Sequence, residues 1–162
     1  MPSNKKQNFM KTSLSLLVSL VILFACQNPE KKDGLKSLGD GNNKIYFLKI
    51  QAKNGDKSIQ EVEFSIDKVI IDSLKLSEEK IQNMCEESIL YADWNVKFRP
   101  SFKHDAMAML VFDRTEKKLL AYMKGTAENA YGTPDNISST IPFDLKGKLL
   151  LDKDGLPKID SY

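Results

Sequence analysis

The sequence predicts an α+β domain, an antiparallel sheet of about five to six strands with one main α-helix packed on a face, preceded by a signal peptide and a flexible tether. Three observations predict the domain. Val62-Glu63-Phe64-Ser65-Ile66-Asp67 alternates apolar and polar residues strictly, as a half-buried strand does. Residues 78–92 carry a helical stripe behind a capping serine. Residues 106–113 and 118–124 are apolar runs of matched length joined by a charged turn, the signature of a hairpin.

At the N-terminus, Lys5, Lys6 and Lys11 precede a run without charge from Thr12 to Ala25 that is rich in Leu, Val and Ile. A basic stretch followed by a short apolar one is an export signal, and this run falls short of the roughly 18 to 20 residues a membrane-crossing helix needs. The run ends Leu23-Phe24-Ala25-Cys26, which resembles the lipobox of bacterial lipoproteins, with Phe24 bulkier than the residue usual at its place. The resemblance implies that Cys26 is lipidated, that residues 1–25 are removed, and that the protein is held on a membrane of the cell envelope. Its expected partner there is the lipid bilayer, through acylated Cys26. Gln27 stands where an inner-membrane retention signal has Asp, which favours the outer membrane in a diderm cell. Each buried methylene adds about 0.8 kcal/mol, so two or three acyl chains anchor permanently.

Residues 26–43 hold Pro, Lys, Asp, Gly and Asn with only Leu35 and Leu38 strongly apolar after the cysteine, the composition of a tether, and the domain is expected over 44–162. Residues 45–52 favour a strand by their aromatic and branched content, Asn54-Gly55 is a turn, and the alternating segment from Val62 completes a hairpin. Ser77 caps a helix over 78–92 whose first turn carries Glu78 and Glu79, and Ile81, Met84, Cys85, Ser88, Ile89 and Ala92 form its buried stripe. Residues 94–98 are expected as a short extended piece, ended by Arg99-Pro100. After the second hairpin, the strand from Lys118 continues to Tyr131, a turn spans 132–136, and a further strand covers about 138–145. Lys146-Gly147 and Asp154-Gly155 mark the last turns.

Removing residues 1–25 takes away three lysines and no acid, so the formal charge falls from +2 to −1. The remaining lysines are interleaved with Asp and Glu, which sets nucleic acid aside as a partner. With Cys26 acylated, Cys85 has no disulfide partner within the chain and is expected as a buried helix residue. The Met84 and Cys85 pair is core rather than a soft metal site, because no second pair accompanies it.

Chemistry is sparse. The one histidine, His104, lies in a polar stretch beside Asp105 and is expected in an exposed loop, and no glycine-flanked serine presents a nucleophile. No catalytic residue is assigned. Zinc-type Cys and His spacing is missing, and Gly39 and Gly41 do not form a phosphate loop. Asp152-Lys153-Asp154-Gly155 is similar to the start of a calcium loop, yet Asp160 stands at the wrong spacing for the distal acid. A plain Asp-Gly turn is the simpler account, and neither a metal nor a cofactor is expected.

Gly125, Asn129, Tyr131 and Gly132 together resemble a strand pattern, glycine followed by asparagine-x-aromatic-glycine, of small bacterial envelope domains of unassigned function. The similarity extends over about 60 residues, and the Pro-Asp-Ser element frequent in those domains is replaced by Ala92-Asp93-Trp94-Asn95. Two accounts of the segment stand side by side. In one, Gly125 marks a bulge or close backbone approach and Asn129 satisfies backbone groups at a bend. In the other, Asn129 and Tyr131 are binding residues on a ligand- or peptide-binding edge.

The expectation for function is a non-enzymatic envelope lipoprotein whose domain binds a protein or peptide through its sheet or a strand edge. The alternatives are a small envelope hydrolase using His104 and a nearby carboxylate, and a calcium- or glycan-binding module using the Asp152 to Asp154 turn and the aromatic residues.

Overall fold

The structure is a computed structural model and describes residues 34–40, 44–94, 96–156, 158 and 160–161. The expected signal peptide, the lipidation site Cys26 and residues 27–33 of the tether lie outside the described residues. Among the described residues no helix is long and apolar enough to cross a membrane.

The fold is largely β, which corrects the expected α+β balance. The elements are β1 (Lys36–Leu38), β2 (Ile45–Lys53), β3 (Ile59–Ile66), α1 (Lys68–Asp72), α2 (Glu78–Tyr91), β4 (Lys103–His104), β5 (Met107–Asp113), β6 (Lys118–Glu128), β7 (Pro134–Phe143) and β8 (Asp160–Ser161). Among the described residues seven strands stand in the order β1-β2-β3-β5-β6-β7-β8, with β4 also paired to β6, against the five or six expected. The sheet is mixed rather than antiparallel. β3 and β5 run parallel, with Phe64 opposite Ala108 and Ile66 opposite Leu110. The chain from β3 returns through α1 and α2, and that length of chain permits a parallel neighbour where a tight hairpin does not.

β2 and β3 form the expected hairpin, with Leu48, Ile50, Val62 and Phe64 buried on the inner face. Short β1 pairs antiparallel with residues 45–47, inside the segment whose composition suggested a tether. Leu35 donates its backbone N–H to Glu78 Oε1 at 2.7 Å, fastening the start of this strand to the first turn of α2. The pairing leaves residues 48–52 of β2 without a strand on that side among the described residues.

Ser77 Oγ accepts from the N–H of Lys80, and α2 buries Ile81, Met84, Cys85, Ser88 and Ile89 on one stripe. The helix packs across the inner faces of β2, β6 and β7. Cys85 is fully buried, and burial raises its thiol far above the ordinary range, so it stays protonated and inert. Ser88 satisfies its hydroxyl on the carbonyl of Met84 at 2.6 Å. α1 was not expected from the sequence. Asp67 creates it by accepting from the N–H of Val69 through Oδ1 while its other oxygen takes the N–H of Phe112 at 3.4 Å.

Between α2 and β5 the expected extended piece is instead a turn at Trp94 and a 3-10 turn at Arg99–Ser101. β4 and β5 lie end to end along β6, but with a changed register: Lys103 faces Thr126 while Met109 faces Tyr122. Residues 105–106 bulge out between them, and the bulge aims the carbonyl of Ala106 at the N–H of Glu63 on β3 at 2.8 Å.

Gly125 sits opposite His104, where the Phe102 ring and the Lys103 carbonyl lie so close that a Cβ would fall 2.6 Å from Phe102 Cζ. Gly132 has open space around it and a left-handed φ of 74°. The two glycines therefore separate two physical effects. Gly125→Ala should lose about 3 kcal/mol or more, because the fold must shift a buried ring and a strand. Gly132→Ala should lose about 1 kcal/mol, the backbone strain alone. Urea unfolding of both variants measures this, and equal losses would contradict the close-approach account of Gly125.

Candidate functional site

Two surfaces of the domain are candidate sites. The first is the face of the sheet opposite α2. Along each strand the residues between the buried ones point there, so Phe47, Ser65, Met109, Tyr122 and Thr140 form one row across five strands by their register. Met107 is 67% exposed, Met109 47% and Tyr122 37%, and Ile45 and Leu38 extend the apolar area toward β1. At the other end of the same face Leu120 and Pro142 are buried, bordered by Leu145 and Leu150 of the segment that follows β7. The C-terminal segment thus covers one corner and leaves the methionines open. Lys49 pairs with Glu61 and Glu63, and Lys118 with Glu116, so neighbouring charges on this side are mutually compensated.

The second surface is a cleft of about 470 Å³ between the C-terminal half of α2, the end of β2 and β4. Its walls combine apolar Ile50, Ile89 and Phe102 with polar Asn54, Asp93 and His104. Gln51 and Ile50 point to opposite faces of β2 yet both line it, so the cleft opens across the edge of that strand.

His104 is only 5% exposed and belongs to β4, which corrects its expected place in an exposed loop. Its backbone N–H donates to Asn54 Oδ1 at 2.9 Å, and Asn54 Nδ2 donates to Ser58 Oγ at 3.0 Å. The Phe102 ring meets the imidazole edge to face at 4.9 Å between centroids. Burial depresses the imidazole pKa below its ordinary 6.5, opposed by the nearby Asp93 carboxylate and by a hydrogen bond to the Lys53 carbonyl. Asp93, not the neighbouring Asp105, is the carboxylate that His104 senses. The neutral ring keeps an acceptor, Nδ1, which is the one buried side-chain polar atom among the described residues without a partner. The wall of the cleft contains no Ser, Thr or Cys, so it presents no hydroxyl or thiol nucleophile of its own.

Asn129 and Tyr131 are placed in the tight turn between β6 and β7. Asn129 Oδ1 accepts from the N–H of Tyr131 at 2.9 Å and of Thr133 at 3.1 Å, so its amide oxygen is occupied by its own turn. Tyr131 is 93% exposed at the tip. Neither lies in the cleft or in the row on the open face. The calcium-like segment adopts the same turn: Asp152 Oδ1 accepts from the N–H groups of Asp154 and Leu156. No cluster of metal-ligating side chains forms among the described residues. Reasoning from sequence missed Asn54, Asp93, Met107 and Met109. Only the alternation of β5, with exposed methionines interleaved among buried residues, carried a signal for any of them.

No family model, curated protein or solved structure matches this chain.

His104 sets a stability test. Its folded pKa lies below the unfolded value of 6.5, so the unfolded chain binds the proton more readily. The contribution is complete above pH 6.5 and declines as the pH falls from 6.5 through the folded pKa. Denaturant midpoints of the protein and of His104→Gln, measured from pH 7.5 to 5, should converge toward low pH. Parallel curves would show that the buried imidazole does not resist protonation.

Proposed function

We propose that this protein is a non-enzymatic envelope lipoprotein, anchored through acylated Cys26, whose domain captures a protein partner on the open face of its sheet. One observation carries the reading. The row that includes Met109 and Tyr122, with Met107 beside it, lies uncovered on the face that α2 does not reach. An apolar stretch of this kind on a small domain marks an interaction surface. Exposed methionines suit it, since their unbranched side chains repack against a partner at low cost. The compensated charges beside the row favour a partner whose own contact surface is apolar and of low charge. Acylation would hold this face among envelope proteins and make any contact effectively local.

The test is crosslinking and pull-down of the lipidated protein from its own envelope, compared with Met109→Lys. This residue is exposed, so the substitution should leave the melting curve within about 0.5 kcal/mol of the parent. Partner recovery should drop at least tenfold, which corresponds to about 1.4 kcal/mol. Unchanged recovery with Met109→Lys would remove the open face from the reading. A Cys26→Ala variant should lose membrane retention as a mature, lipidated species, and unaltered lipidation would overturn the anchor.

A further inference from the structure

From the cleft at the edge of β2, we infer a second binding site that takes an extended peptide as an added strand, with a lysine side chain of that peptide entering the cleft. The site is separate from the open face, because no residue lining the cleft belongs to the row of Phe47, Ser65, Met109, Tyr122 and Thr140.

Four observations converge there. Residues 48–52 of β2 have no strand beside them on the side of β1 among the described residues, and an unpaired run of this length is a template for strand addition. The cleft of about 470 Å³ opens across that same edge, and its size is that of a pocket for one side chain or a small ligand. Its apolar walls, Ile50, Ile89 and Phe102, match the methylene stem of a lysine. Its polar groups match the ammonium.

The match to a cation has three sources. Asp93 presents a carboxylate in the cleft close enough to His104 to act on its titration, whereas Lys53, the one lysine of the lining, has an exposed side chain. The C-terminal end of α2, a 14-residue helix with no base in its last turn, lies at the same place and adds the negative end of its dipole. His104 Nδ1 is an acceptor without a donor, and buried acceptors of this kind are rare in folded proteins. An ammonium supplies three donors, enough for the imidazole and a carboxylate at once. Nδ1 is covered in the free protein, so an entering group reaches it only as the cleft wall adjusts around it.

The chain holds one histidine, which makes the test direct. The full lipidated protein, carrying no histidine tag and labelled with nitrogen-15 in histidine, is placed in detergent micelles. It is titrated with acetyl-Thr-Val-Lys-Val-Thr-amide, with the same peptide bearing norleucine or glutamate in the middle, and with n-butylamine. The lysine peptide should bind at least tenfold tighter than either variant peptide and shift the Nδ1 resonance of His104. Asp93→Asn, which removes charge without changing shape, should erase most of that preference while the protein still melts cooperatively. Met109→Lys should leave the titration unchanged. Several results would overturn the site: no binding at millimolar lysine peptide, equal affinity for the glutamate peptide, or loss of binding in Met109→Lys. A shift of Nδ1 by n-butylamine at the affinity of the peptide would likewise overturn strand addition.

Discussion

The junction between the β2–β3 turn and β4 is the constraint on which the rest of the fold depends. Asn54 Oδ1 takes the N–H of His104, and the N–H of Gly55 donates to the carbonyl of Phe102 at 2.8 Å. Both contacts require the chain after α2 to come directly against the hairpin end. Gly55 allows it, because the Arg99 carbonyl occupies the place where a Cβ would stand. Gly125 allows the matching approach from β6, against the ring of Phe102. Glycine is used at these two points for space and not for an unusual backbone, since neither has a positive φ. Closing this end of the core buries Phe102 and His104, and the same closure forms one wall of the cleft. The unpartnered Nδ1 of His104 is thus a by-product of a packing solution, left beside the cleft.

The turns show how local sequence sets conformation. Asn129, Asp144 and Asp152 each accept through Oδ1 from the N–H groups two and four residues later. Each is followed three residues on by a glycine with φ between 74° and 80°. One device therefore explains two features that looked like sites, the asparagine-x-aromatic-glycine pattern and the calcium-like Asp152 segment. The turn at Asn54 has the same backbone bonds, but Lys57 takes the left-handed position with φ 69° and Asp56 takes over the bonding to Ser58. Those bonds also hold the Asp56 carboxyl below its ordinary pKa. Freed from that task, the Asn54 side chain reaches His104. The departure from the pattern, and not the pattern, is what points to the site.

Features set by neighbours in sequence were legible, and features set by the assembly were not. The stripe of α2 and the alternation of Val62, Phe64 and Ile66 depend on periodicity, and they sit where that periodicity puts them. The parallel pairing of β3 with β5 was hidden because register across a long connection leaves no trace in either strand alone. β1 was hidden by its three residues, too short for a pattern and set in a polar segment. His104 was misplaced because Lys103 and Asp105 on either side are exposed, which made a buried strand residue look like part of a loop. An isolated pair of strand residues carries too little context for sequence to show which of them points inward.

The position of β1 changes what an anchor at Cys26 would mean. If Cys26 carries lipid, nine residues, 27–35, would separate it from β1, a span of at most about 35 Å at full extension. β1 occupies only the first third of the edge it joins and, among the described residues, leaves residues 48–52 of β2 without a strand on that side. A longer β1 would have sealed the edge and blunted it against unwanted pairing. Instead, Leu35 bonds Glu78 on α2, and the chain joins β2 only at Phe47, next to that stretch. The tie between Leu35 and Glu78 is therefore a determinant of the edge site, although neither residue lies in the cleft.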